Sequence, residues 1–120
     1  MAHRAFINSQ GFIEQVYVGE MTEKSVREIM DESHKYAKQF QKRGEPILVL
    51  SDLSKMSKAT PGGRKQGLRG ITRLPYEKVA IVTKGVYHKT LANFVVLASG
   101  ETKKVKVFGS RDEASSWLST

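Results

Sequence analysis

Three short apolar runs alternate with longer stretches of helical spacing, and this alternation limits the fold more than any other feature of the chain. The runs lie at residues 46–53, 78–83 and 104–108. The first two are nearly continuous in apolar residues, as expected of strands covered on both faces, and the third alternates like a half-buried strand. Between the first two, Pro61 is well placed to open a helix that runs to about Arg73. Between the last two, Tyr87, Leu91, Phe94, Val95 and Ala98 share one helical face, and Gly100 ends that helix. Strands interleaved with helices in this way predict helices packed on a mostly parallel sheet with right-handed crossovers.

The flanking segments complete the pattern. Ala5, Phe6 and Ile7 read as a first strand, Asn8 to Gly11 as a turn, and residues 12–18 as a second strand, which makes an antiparallel hairpin. Thr22 is a good N-cap for a long helix whose apolar face is Val26, Ile29, Met30, Ser33, Tyr36, Ala37 and Phe40. Lys42 and Arg43 suit the negative end of that helix, and Gly44 suits the position after it. At the other end, Ser110 and Glu113 form a capping box, followed by Ala114, Trp117 and Leu118 as the apolar face of a last helix. Phe108 and Trp117 are expected in the core. The order is β-β-α-β-α-β-α-β-α.

The length, 120 residues, fits a single domain over 1–120 that can bury a core without covalent staples. No cysteine is present, which excludes disulfides, thiolate zinc sites, Fe–S clusters and a cysteine nucleophile within it. No apolar run approaches the ~20 residues of a membrane span. The first ten residues lack the apolar core of a secretory signal, so the expected location is the cytoplasm, with membrane association through a basic surface as the variant of that expectation.

Formal net charge is +8, and the window from Leu53 to Tyr76 supplies six basic residues and no acid. Such a balance suits an anionic partner. Lys65, Arg69 and Arg73 fall within a narrow arc of the second helix, with Arg64 nearer the Leu68–Ile71 side. This face suits an anionic membrane, with Leu68, Ile71 and Met56 expected to touch the acyl boundary. Nucleic acid is not the expected partner, because no aromatic platform or base-reading motif accompanies the charges. Gly67 and Gly70 inside the second helix each cost about 0.5–1 kcal/mol relative to Ala, so this helix is expected to be the least stable and the most mobile.

The run Ile47-Leu48-Val49-Leu50-Ser51-Asp52-Leu53-Ser54, the segment Leu74-Pro75-Tyr76-Glu77-Lys78-Val79-Ala80-Ile81-Val82, and the ending Lys104-Val105-Lys106-Val107-Phe108 with Asp112-Glu113-Ala114 and Trp117-Leu118 together resemble the SpoIIAA-like group of the STAS domain superfamily. The resemblance covers nearly the whole chain. It implies an α/β fold, a STAS-like mixed five-stranded sheet with four helices, acting as a non-catalytic regulatory or binding module. It also directs attention to the loop at 54–63, which in sigma-regulating STAS proteins carries Asp-Ser-Ser-Gly with a phosphorylated serine. Here Thr60-Pro61-Gly62-Gly63 stands in that place and retains only the final glycine, so the phosphoserine role transfers to no residue. Such domains also resemble, distantly, lipid-carrying folds, which implies an apolar ligand beneath the second helix.

The loop has chemistry of its own. A helix N-terminus presents unpaired amides and partial positive charge, and Gly62 and Gly63 allow close approach to the backbone. Ser54, Ser57, Lys58, Thr60, Arg64 and Lys65 surround them. The expected ligand there is a protein partner or a small anion such as a phosphate or carboxylate. The Gly-Lys-Ser/Thr ending of a nucleotide loop is absent, so no cofactor is expected. His3, His34 and His88 are spread over three elements without metal-ligand spacing. Ser51 or Ser54 with His88 and Asp52 lacks a GxSxG elbow. The pairs Asp31 with Glu32 and Asp112 with Glu113 read as helix surface and capping, so no catalytic residue is expected. The exposed edge of the first hairpin is suited to pairing with a second copy, a homodimer.

Overall fold

The computed structural model describes residues 3–73 and 75–120; Leu74, quoted above, lies outside them. Nine elements follow in the expected order: β1 (Arg4–Ile7), β2 (Ile13–Met21), α1 (Glu23–Lys42), β3 (Leu48–Ala59), α2 (Pro61–Arg73), β4 (Lys78–Val82), α3 (Val86–Ser99), β5 (Val105–Phe108) and α4 (Arg111–Leu118). One five-stranded sheet has the order β1-β2-β3-β4-β5, with β1 antiparallel to β2 and the remaining pairs parallel. Because neighbours in the sheet are also neighbours in sequence, right-handed crossovers place α1, α2 and α3 on one face. The last helix, α4, covers the other.

Side-chain alternation along the strands assigns each residue to a face. Ile13, Val49, Val79, Ile81 and Val105 pack with Ala37 and Phe40 of α1 and Ala92 and Val96 of α3. Phe12, Leu50, Ala80 and Val82 pack with Ala114 and Leu118 of α4. A third cluster, Tyr17, Met21, Val26, Ile29 and Met56, closes the end of the sheet beneath α1. The caps form as expected at α1, where Thr22 and Ser25 make a reciprocal box. Gly44 and Gly100 both take positive φ after their helices. At α4 the Ser110 hydroxyl accepts from Glu113 N–H and donates to the Glu113 carboxylate at 3.2 Å, so the carboxylate meets the cap's hydroxyl and not its backbone N–H.

Three expectations are corrected. Residues 54–59 are strand, not loop: β3 continues to Ala59 and stays paired with β2 to Met21, through two register shifts. In that stretch Lys55, Ser57 and Lys58 are exposed and Ser54 is half-buried, while Met56 turns into the third cluster. The α3 face is rotated about its axis: Ala92 and Val96 are buried, whereas Tyr87, Phe94 and Ala98 are exposed. The small side chains let the helix lie close to the sheet, and the rings are left outside. Phe108 and Trp117 are half-buried, not core; they meet at the rim of the α4 cluster in a tilted arrangement, with ring centroids 5.7 Å apart.

The glycines of α2 have a packing role. Gly63, Gly67 and Gly70, at i, i+4 and i+7, turn toward β2 and α1. A Cβ on Gly63 would lie 2.2 Å from the Met21 carbonyl oxygen, and one on Gly70 would lie 2.3 Å from the Met30 Cε. The first obstacle is backbone and the second is the end of a flexible side chain. Gly63→Ala is therefore expected to cost about 1–3 kcal/mol in urea unfolding, as overpacking does. Gly70→Ala is expected to change stability by less than about 1 kcal/mol, since Met30 swings aside and Ala gains helix propensity.

Candidate functional site

The residues expected around the entry to α2 are only partly brought together. Thr60, Gly62, Gly63 and Arg64 converge at the helix start. Ser54, Ser57 and Lys58 are strung along β3, with Ser54 roughly 20 Å of strand from Thr60. The Ser54 N–H is taken by Asp52 Oδ1 at 2.9 Å, and Lys58 pairs with Glu20 at 3.4 Å across the β2–β3 ladder. Thr60 acts as a cap: its Oγ1 accepts from Gly63 N–H at 3.0 Å, and its own N–H donates to the Met21 carbonyl at 2.9 Å. Glu23 lies against Gly62, its Oε1 3.4 Å from where a Cβ would stand, so a carboxylate already faces the first turn. Lys65, Arg69 and Arg73 are exposed along one side of α2, as the spacing implied. Met56 is buried, and Leu68 and Ile71 are half-buried, with Ile71 packed on the core, so these three do not form a free apolar edge.

Beneath α2 the core is incompletely filled. A cavity of about 90 Å³ lies between strands β2 to β4 and the three helices above them. Most of its wall is apolar, with Met21, Met30, Leu53, Leu91 and Val95 among the contributors. A few polar groups reach it: Gln15, Ser51, Arg64, Tyr76 and His88. Several of these are committed elsewhere. Gln15 donates to Ser33 Oγ at 2.9 Å, and the Tyr76 hydroxyl donates to the Ile71 carbonyl. Arg64 Nη1 donates to the Ala59 carbonyl at 3.0 Å. That guanidinium has no carboxylate partner among the described residues. His88 Nδ1 is buried without a hydrogen-bond partner.

Burial raises the phenols that border this space. Tyr17 is pushed well above the ordinary tyrosine range by desolvation alone. Tyr76 is pushed up to about 12, by burial first and then by the charge of Glu101. An unfolded tyrosine ionises near 10. The contribution of a neutral Tyr76 is thus complete below pH 10 and is lost as pH rises from 10 through about 12. The urea midpoint is expected to fall across that window, and Tyr76→Phe to remove part of the decline.

A hydrolytic triad does not assemble. Ser51 and His88 both border the cavity, but Asp52, one residue along β3, points to the opposite side of the sheet. There Arg111 holds it at 3.2 Å, while the same guanidinium grips Glu14 through two bonds of 2.9 Å. No group of three or more His, Cys, Asp and Glu side chains placed to hold a metal occurs among the described residues.

The outer surface of the helical layer carries a feature the sequence pattern concealed. Val86, Tyr87, Phe94 and Leu97 of α3 are each more than two thirds exposed. The adjoining helix α2 presents Lys65, Arg69 and Arg73, and neither helix contains an acidic residue. The periodicity of α3 could not reveal this, because the helix is apolar nearly all round. The cavity had one legible signal, the glycine spacing of α2, which marks a helix pressed close to its neighbours.

No helix of the described residues is long and apolar enough to cross a membrane. Comparison with known proteins supports the fold on independent grounds. An uncharacterised protein with a SpoIIAA-like fold from Shewanella loihica PV-4 superposes with a TM-score of 0.67 at 17% identity, over 98% of this chain and 96% of that one. The chain matches no curated protein by sequence. The SpoIIAA-like family model matches residues 12–119, which spans every element from β2 to α4. Nearly the whole chain is covered by that match, and its strand and helix order agrees with the fold, so the chain belongs to the SpoIIAA-like family.

Proposed function

We propose that this chain is a non-catalytic binding module for a small amphipathic anion, with the apolar part in the cavity beneath α2 and the charged end on Arg64. The observation that carries this reading is an apolar cavity of about 90 Å³ whose wall includes a guanidinium with no carboxylate partner among the described residues. Arg carries five donors, and the Ala59 carbonyl takes only one of them, so a carboxylate or phosphate can still be held by a two-pronged contact. The cavity as it stands accepts a short apolar group; a longer one requires α2 to lift. The helix is suited to that, because it meets α1 through glycines rather than interlocked side chains.

Octanoate is a suitable probe. Titration into isotopically labelled protein should shift the methyl signals of Leu91 and Val95 and the Arg64 side chain. Arg64→Met keeps the bulk and removes the charge, and should weaken binding about tenfold or more, the value of one charge-assisted contact. Val95→Phe should fill the cavity and abolish binding. Shifts confined to the outer face of α3, or equal affinity in the Arg64→Met protein, contradict the assignment.

A second reading rests on the exposed α3 side chains beside the basic stripe of α2. Basic residues next to apolar ones, with no acid between them, match an anionic bilayer surface. The two readings are compatible, because they use different parts of the helical layer: the space beneath α2, and the exposed faces of α2 and α3.

A further inference from the structure

The sheet ends at β5, whose outer edge no other strand covers among the described residues. Its bonding to β4 runs through alternate residues: Val79 N–H donates to the Lys104 carbonyl at 2.8 Å, and Thr83 N–H to the Phe108 carbonyl at 3.0 Å. In a parallel ladder the intervening residues, Val105 and Val107, turn their main-chain groups outward. Val105 N–H is satisfied by the Glu101 carbonyl at 3.0 Å. The Val105 carbonyl and both main-chain groups of Val107 have no partner among the described residues. Beside this edge runs a groove of about 410 Å³, with Asn93, Val96 and Leu97 of α3 on one wall and Val105 and Val107 on the other.

The two faces of β5 differ in chemistry. Val105 and Val107 pack toward the α3 side. Lys106 points to the α4 side, where its Nζ lies 5.4 Å from the Trp117 ring; Lys78 Nζ lies 5.0 Å from the same ring and donates to the Trp117 carbonyl and to Thr120 Oγ1, both at 3.0 Å, which leaves one donor free. Lys103 and Lys104 precede the strand, and none of these lysines has an ion-pair partner among the described residues. A second copy pairing antiparallel on this edge would bring lysines opposite lysines, which is unfavourable.

We propose that the β5 edge takes an extended segment of a partner protein as a sixth strand, in which apolar residues alternate with acidic ones. The apolar side chains enter the α3 groove, the acidic ones lie beside Lys106 and Lys78, and the main chain bonds to Val105 and Val107. The pattern follows from the two-residue period of the strand and from the opposite character of the two faces. This surface is separate from the cavity beneath α2, so it stands or falls independently of the ligand reading.

The test uses the full chain and a synthetic octapeptide alternating Glu with Val or Leu. On binding, the Val107 amide should move downfield and become protected from hydrogen exchange. A peptide N-methylated at alternate residues should bind about tenfold more weakly, as loss of one or two main-chain bonds requires. Lys106→Glu should weaken binding severalfold. Val107→Pro should abolish it while leaving the amide spectrum of the other strands in place, because the lost N–H does not face β4. The proposal is overturned by equal binding of a Lys–Val peptide, by shifts at β1 instead of β5, or by full affinity of the N-methylated peptide. It is also overturned if sedimentation shows a dimer that Val107→Pro dissociates, since the occupant would then be a second copy.

Discussion

Sedimentation with vesicles containing phosphatidylserine is expected to fall at least about a hundredfold when Lys65→Glu, Arg69→Glu and Arg73→Glu are combined. Each basic side chain near an anionic surface contributes about 1 kcal/mol, so neutralising three removes roughly 3 kcal/mol and reversing them adds repulsion. All three are exposed on α2 and form no ion pair among the described residues, so circular dichroism should show an intact fold. Salt should weaken the wild-type interaction, since surface charges are screened over about 10 Å at 0.1 M. Phe94→Ser with Leu97→Ser tests the other half of the surface. Fully burying one such side chain is worth about 1.5–3 kcal/mol, so partial insertion of the two should account for at least a tenfold loss. The membrane reading fails if wild-type protein stays in the supernatant with anionic vesicles, or if the triple reversal sediments as well as the wild type.

The fold was legible where one chemical property changed with the period of the element. The α1 face from Val26 to Phe40, the buried runs of β3 and β4, and the glycines at 44 and 100 all appear in the structure where their spacing puts them. The far half of β3 was hidden because Ser54, Lys55, Ser57 and Lys58 carry loop chemistry. They sit in a strand because β2 continues alongside them to Met21 and supplies the ladder partners. That is a long-range cause with no local mark. The face of α3 was misplaced for the opposite reason: with Val, Tyr, Leu, Phe and Ala on every side, nothing in its composition selects the buried stripe. What selects it is the size of Ala92 against the sheet. The candidate site moved for the same two reasons. With 54–59 in a strand, the hydroxyls expected to cluster are spread out, and of the apolar face expected for α3 only Leu91 and Val95 border the cavity, joined by His88, while Tyr87 and Phe94 lie outside.

The largest loss of stability is expected from Arg111→Met. Glu14 and Asp52 lie on the α4 face with side chains 6% and 11% exposed, and Arg111 is their shared cation. Asn8 Nδ2 donates to Glu14 and Ser54 N–H to Asp52, but neither contact supplies a positive charge. Breaking one partner out of a buried ion pair costs about 3–5 kcal/mol; Arg111 is 47% exposed and water reaches the site, which puts the expected loss near the lower end, about 3 kcal/mol in urea unfolding at pH 7. The remaining carboxylates are then uncompensated, so Glu14→Gln in the Arg111→Met background should recover part of the loss. A loss below about 1 kcal/mol would mean that solvent already neutralises the pair. The sheet separates this cluster from the cavity, because Asp52 and Ser51 are adjacent in β3 and face opposite ways. Octanoate affinity of the folded Arg111→Met protein should therefore match the wild type, and a parallel loss of affinity would show that α4 and the cavity are coupled through β3.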